Sequence, residues 1–473
     1  MVSLLENRIL SLLNKSSEYN KVSTGFLERS FPIEITGVRG GFSSFLISSL
    51  NRYTKENSLV IVPTEQDAIS LYNDLKLVTD KVQIMPWWGT MLYKGISPGA
   101  QVFGRRVECL NKVLNEKKVT TILSLRSFLT NLPDPNYLKP LKETLTVGSD
   151  IDLYNIGQVL STFGYNKVPR VTIHGEFALR GEVLDFYPPG ADEAIRVVFE
   201  FDEIEEIKYF NPTTQISTDK LKEITITPTK EILWSDERIN TLEERLKKIV
   251  KGDSSAVIEG LRTYREFRGE ELFYPLSFSE NFTILDYMES NSPIFYINPE
   301  SLEARSEVLD KEYLELYTKA LASKIVVPSH REVMSTFKEL YEKSESKILL
   351  PGLKQQYDYT SQVNIDFVCE SGRSFFGNVN YLKEELAMYK SNGYRVFIFA
   401  ESNSQGERIS HMLKDFDVKV ITEGLIGGKS WAKKKSRVRK SVEDLADMLI
   451  KLYATREKAV GFSFPKDDDF QLG

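Results

Sequence analysis

From about Phe31 to Leu132 short β-branched runs alternate with helical ones, and no other feature of the chain limits its fold so sharply. IEITGV precedes FSSFLISSLNRY, LVIVPT precedes EQDAISLYNDLKLV, and TTILSL closes the series. This alternation predicts a parallel α/β sheet. Between about Pro133 and Pro228 the helical pattern fades, and strands separated by Pro, Gly and Asn turns dominate, ending in the ITIT of residues 224–227. That stretch predicts an inserted β-rich domain. SDERINTLEERLKKIV then restores a helix, with a Ser/Asp start and Leu242, Leu246 and Val250 at helical spacing. A further α/β stretch holds KILL, NIDFVC and NVNYLKEELAMYKSNGYRVFIFAESNSQGERISHMLKDFDVKVIT. Beyond it Val442, Leu445, Met448, Leu449 and Leu452 form one apolar stripe of a long helix. The expected fold class is therefore α/β and multidomain. Residues 1–132 form the first part of an α/β domain, 133–232 a β-rich insert, 233–345 the second part, 346–426 a small α/β domain, and 427–473 a long helix and tail.

The first strand-to-helix turn is where a phosphate-binding loop would sit. Such a loop needs G-x-x-x-x-G-K-[ST], because backbone amides cradle the phosphates and the Lys offsets their charge. The sequence there is Gly37, Val38, Arg39, Gly40, Gly41, Phe42, Ser43, Ser44. Phe42 replaces the second Gly and Ser43 the Lys, so the domain is expected to be a degenerate P-loop NTPase-like fold with a disabled loop. A second near-match, Gly427, Gly428, Lys429 and Ser430, lacks its first Gly, since Glu423 stands there and Gly424 is one place off.

Two arginines stand out in HGEFALRGEVLDFYPPGADEAIRVVFEFDEIEEIKYF, residues 174–210. Pleat alternation sends Ile195, Val197, Phe199 and Phe201 one way and Arg196, Val198 and Glu200 the other, which places Arg196 on the wetter face. Arg180 follows Phe177 and Leu179 at the turn-forming Gly181 and can stand on the same face. Glu200 shares that face and can partly neutralise Arg196, while Phe201 is expected to turn inward unless a register shift or bulge sends it outward.

Little else carries chemistry. The net charge of −6, from 61 basic and 67 acidic residues, does not advertise nucleic-acid binding. The basic run WAKKKSRVRK at 431–440 reads first as the start of an exposed helix, because acids follow in KSVEDLAD. Trp87 and Trp88 can stack on a base. Cys109 and Cys369 are too few and too far apart for a disulfide framework or a zinc site, which fits a reducing cytoplasm. His174, His330 and His411 show no metal or triad spacing, and acid pairs such as Glu205 and Glu206 suit solvated faces. No apolar run approaches the roughly 18 residues of a membrane span. No catalytic residue, metal or cofactor is expected, and the location expected is cytoplasmic.

The pattern GEFxxRGxxxDxxPPG, then an Arg ahead of an aromatic strand ending in DEIE, resembles the UvrB-like module of the transcription-repair coupling factor (Mfd) family. The resemblance runs from GVRGGFSS through MPWWGTMLYKGISP, TTILSLRSFL and SFFGNVNYLKEEL to GGKSWAKKKSRVRKSVEDLADMLIKLYA. It implies that the β-rich domain binds UvrA and that Arg180 and Arg196 match arginines that contact it. Glu200 and Phe201 complete the expected contact set, but where the family has two aromatics and a Gly before DEIE this chain has Phe199, Glu200 and Phe201, so an aromatic anchor is expected to be lost from the surface and the affinity lowered or matched by a changed partner surface. The resemblance also implies a retired loop at Gly37, Gly40, Gly41, Ser43 and Ser44. The family's RNA-polymerase-interacting domain lies where Ile426 runs into Gly427, and its translocase and C-terminal autoinhibitory domains would follow the tail. The expectation is a chain without those parts, with an open arginine face and no motor, which reaches RNA polymerase, double-stranded DNA and ATP only through domains it lacks. Its expected role is a non-catalytic adaptor that recruits UvrA in transcription-coupled nucleotide excision repair. Two rivals are a DNA-dependent ATPase using Ser43/Ser44 or Lys429/Ser430, and a UvrB-like damage-recognition subunit. The latter needs a working phosphate loop and an aromatic DNA-clamping hairpin, and the sequence offers neither.

Overall fold

The computed structural model describes residues 10–249, 253–323, 326–352, 361–369, 379–392, 395–398, 403–416 and 418, with short strands at 453–454, 459–460 and 462–464. The loop candidate at 427–430, the basic run at 431–440 and the apolar stripe at 442–452 lie outside the described residues.

The strands are β1 (Ile33–Thr36), β2 (Ser58–Val62), β3 (Val82–Met85), β4 (Thr120–Ser124), β5 (Glu143–Thr146), β6 (Asn166–Lys167), β7 (Glu176–Arg180), β8 (Val183–Phe186), β9 (Ala194–Glu200), β10 (Glu203–Phe210), β11 (Ser217–Leu221), β12 (Glu223–Ile226), β13 (Ile294–Ile297), β14 (Lys347–Leu350) and β15 (Val363–Asp366). Seven of them form one sheet in the order β15-β1-β14-β13-β2-β4-β3, and every pairing in it is parallel. Runs such as SLVIV and TTILS are buried at every position, as strands covered on both faces must be. Pleat alternation deals their side chains to two cores. Leu59, Ile61, Leu123, Tyr296 and Leu349 join one core with the helices Ala100–Asn115, Asp236–Ile249 and Pro299–Ala322. Val60, Val62, Ile122, Phe295 and Ile348 join the other, with Ser17–Leu27, Phe42–Asn51 and Glu65–Lys76. The multidomain α/β class expected from the sequence is what the chain adopts.

One expectation is corrected. The sequence pattern puts KILL and NIDFVC in a small domain at 346–426, but β14 and β15 are strands of the central sheet and flank β1 in parallel register. A parallel neighbour can come from any distance along the chain, so sequence order does not reveal it. Beyond β15, the helices Val379–Ser391 and Asn403–Met412 share a small core of Leu382, Leu386, Ile398, Ile409 and Leu413. No described helix is long and apolar enough to cross a membrane.

The β-rich segment leaves and re-enters this framework through the antiparallel pair β5–β12. Its six-stranded sheet has the order β11-β10-β9-β8-β7-β6. The inner face packs Phe177, Leu184, Phe186, Ile195, Val197 and Phe199 against Ile156 and Leu160 of the helix Leu153–Thr162.

Two close contacts seat this sheet on the α/β framework. The turn Pro188–Pro189–Gly190 lies against Gly104 so tightly that a Cβ on Gly104 would fall 2.3 Å from the Pro189 Cβ. Beside it Arg106 and Glu231, 0% and 1% exposed, form a buried ion pair, and Arg106 also donates to the Pro86 carbonyl at 2.6 Å. Next to that pair Glu270 accepts from Lys230 at 2.8 Å and from the Trp234 indole at 2.9 Å. Its neighbour Glu271 accepts from Ser97 at 3.0 Å and from its own backbone amide, yet burial raises it from the ordinary 4.5 to about 7, with Glu270 and Glu231 pushing the same way. A carboxyl raised in the folded state holds its proton more tightly there, so its contribution is complete below pH 4.5 and is lost as pH rises to about 7. Glu271→Gln, neutral throughout, is expected to gain on the parent across that window by on the order of 2–3 kcal/mol. Melting curves at pH 5 and pH 8 check this: the variant's advantage must widen at pH 8.

Candidate functional site

The outer face of the six-stranded sheet carries one row of side chains in register across five strands: Ala178, Asp185, Arg196, Lys208 and Lys220. Asp185 stands in that row with its side chain only 1% exposed, and its carboxylate collects both sequence-singled arginines. Arg196 donates from Nε to Oδ1 at 2.7 Å and from Nη2 to Oδ2 at 2.9 Å, the two-pronged geometry that a guanidinium fork favours. Arg180 donates from Nη2 to the same Oδ2 at 2.7 Å. The two guanidiniums therefore share one face, as alternation indicated.

They are not equally available. The Arg196 side chain is 19% exposed, and its guanidinium carbon lies 4.6 Å from the centre of the Phe210 ring. Its Nη2 also donates to Gln215 Oε1 at 3.2 Å. Hydrogen bonding to Asp185 raises the Arg196 pKa further, so this cation is fixed. Arg180 is 48% exposed, and among the described residues its other donors have no partner. Beside them Lys208 and Lys220 both pair with Glu206. Part of the same face is dry: Ala178, Tyr187, Ala194 and Phe210 pack with Val168 and Val171. Alternation identified the face but not the partner. Asp185 was visible as the Asp of the GEFxxRGxxxDxxPPG pattern, with no role attached to it.

Phe201 corrects a second expectation. Alternation turned it inward, yet it is 81% exposed with φ at 57°. The reason is that β9 ends at Glu200, which pairs with Glu203, so Phe201 and Asp202 form the hairpin turn and the period-2 pattern no longer applies. Ile151 holds this turn by donating to the Asp202 carbonyl at 2.7 Å. A bulky residue at positive φ is uncommon. The turn lies at the end of the sheet where β7 delivers Arg180, because β7 and β9 run in the same direction. Glu200 is exposed at the same end, and the carboxylate that neutralises Arg196 is Asp185.

The first phosphate-loop candidate has the right address, between β1 and the helix Phe42–Asn51. Gly37 and Gly40 take positive φ of 76° and 57°. The loop is packed against its own fold. The Phe42 ring is buried in edge contact with Phe367, 5.3 Å between centres, and a Cβ on Gly37 would fall 1.7 Å from the Phe367 carbonyl oxygen. Ser43 and Ser44 turn their hydroxyls back onto the Gly40 and Gly41 carbonyls, at 2.8 and 2.6 Å.

Trp88 is buried and Trp87 half-buried, each beneath an arginine, Arg106 and Arg126 respectively. His174 stacks on Tyr187, and His330 meets Asp310 at 3.1 Å. No group of His, Cys, Asp and Glu among the described residues is arranged to hold a metal.

The sheet and its face lie within a segment, residues 144–232, that matches the UvrB interaction domain family. The chain thus carries a segment similar to UvrB interaction domains. Along most of its length it is similar to transcription-repair-coupling factors: 31% identical over 413 residues to that of Borreliella burgdorferi, covering 87% of this chain and 36% of the relative. The protein of Bacillus subtilis is 23% identical over 433 residues, 87% of this chain and 37% of the relative. That of Haemophilus influenzae is 25% identical over 296 residues, 60% and 26%. The resemblance carried by the motifs is thus borne out, and the chain spans about a third of the length of the curated relatives it matches.

Proposed function

We propose that this chain is the UvrA-recruiting, non-catalytic adaptor region of a transcription-repair coupling factor, acting in transcription-coupled nucleotide excision repair in the cytoplasm. The observation that carries the reading is the half-exposed Arg180, held beside Arg196 on the outer face of a UvrB interaction domain and close to the exposed Phe201 turn. Arginine and aromatic side chains are the types that anchor protein interfaces, and a guanidinium with unused donors suits carboxylates on the partner. Arg180, Arg196, Phe201 and Glu200 make up the proposed contact set, with Glu200 limiting the net positive charge.

ATP has no part in this role: the Gly37–Ser44 loop lacks the phosphate-neutralising Lys and spends its hydroxyls on its own backbone. RNA polymerase and double-stranded DNA are assigned to other parts of such a factor. Size-exclusion chromatography of this chain mixed with UvrA tests the reading. Co-elution at moderate salt is expected, and separate peaks at both low and moderate salt would contradict it.

A further inference from the structure

We infer that Asp185 is a positioning residue that divides the labour of the two arginines, locking Arg196 into the sheet surface and aiming Arg180 at an incoming carboxylate. The identity of the partner rests on the UvrA-recruitment reading, whereas the locking does not. A carboxylate buried to this degree needs its lone pairs satisfied. Asp185 obtains that from Arg196 Nε, Arg196 Nη2 and Arg180 Nη2, all within 2.9 Å. Arg196 is used up by this arrangement, since Gln215 and the Phe210 ring occupy its remaining sides. Arg180 spends one donor on the anchor and keeps half its surface in solvent. A long side chain at a strand end, next to the Gly181 turn, would otherwise sample many rotamers. The Asp185 tether removes part of that freedom before the partner arrives, which lowers the ordering cost of binding. The binding-competent geometry therefore depends on a residue that itself offers the partner almost no surface.

The test uses the full chain and UvrA in titration calorimetry, with the isosteric Asp185→Asn, Arg180→Ala and the double variant. Asp185→Asn is expected to weaken binding about tenfold or more. In the Arg180→Ala background it should add less than about twofold, because its effect passes through Arg180. Equal losses in both backgrounds, or parent-like binding by Asp185→Asn, would overturn the inference. Arginine-selective ¹⁵N NMR reports the locking separately. The Arg196 Nε–H signal should be slow to exchange in the parent and fast in Asp185→Asn, and an unchanged signal overturns the inference. If the parent itself does not bind UvrA, the recruitment reading falls and the NMR result alone decides the locking. If Asp185→Asn folds poorly, Asp185→Glu replaces it, keeping the charge but shifting the anchor: a loss of binding that disappears in the Arg180→Ala background supports the division of labour. Parent-like binding, or an equal loss in both backgrounds, refutes it.

Discussion

Arg106→Ala is expected to destabilise the chain by about 3–5 kcal/mol, the largest single effect the fold predicts. The cost is not the lost attraction alone. Arg106 and Glu231 are sealed from solvent where the β-rich sheet joins the α/β framework, and truncation leaves Glu231 as a lone carboxylate among Tyr274, Tyr287 and the acids Glu270 and Glu271. The Pro86 carbonyl loses its donor as well. An unpaired charge in such a site costs more than the absence of both partners. Replacing both residues by apolar ones, Arg106→Met with Glu231→Leu, should therefore recover much of the loss. Thermal unfolding of the two single variants and the double checks this, with a fall of roughly ten degrees expected for Arg106→Ala. A double variant as unstable as the sum of the singles would show that the pair is not the unit that matters.

The second large effect is expected at Gly104, where two rules of opposite sign compete. Gly104 lies inside the helix Ala100–Asn115, where Ala would ordinarily add about 1 kcal/mol of helix stability. The new methyl group would, however, lie 2.3 Å from the Pro189 Cβ and 2.6 Å from the Gly190 nitrogen. Backbone cannot swing aside as a long side chain can, so the helix and turn must separate. The same closeness constrains Gly190, whose own Cβ would lie 3.1 Å from the Gly104 carbonyl carbon. Gly104→Ala is thus expected to be destabilising, by on the order of 1–3 kcal/mol. It should also raise the rate of proteolysis at the Pro188–Asp192 turn, because the turn loses its seat. A variant that melts above the parent would mean that the contact is looser than the geometry requires.

Alternation alone makes much of this fold readable. A period of two sorted the β9 side chains correctly from Ile195 to Glu200, and the continuous apolar runs of β2 and β4 marked strands covered on both faces. What escaped was set by non-local contacts. β15 pairs with β1 across 330 residues, so NIDFVC gave no sign of its neighbour. Arg106 and Glu231 lie 125 residues apart, and nothing in either local pattern shows that the two charges are buried together. Phe201 departs from alternation for a local reason: alternation does not say where a strand stops, and β9 ends at Glu200, one residue before the pattern appears to end. Arg196 was put on the correct face but credited with more solvent than it has, because Asp185, Gln215 and Phe210 reach it from three other segments.

The central claim is recruitment of UvrA through the arginine face, and titration calorimetry tests it most directly. This chain and its Arg180→Ala/Arg196→Ala double variant would each be titrated with purified UvrA at moderate salt, with circular dichroism confirming that the variant folds. The account predicts measurable binding by the parent and a loss of at least about 2 kcal/mol, roughly thirtyfold, in the variant. Equal affinity of the two folded proteins for UvrA, or no binding by the parent, would contradict it.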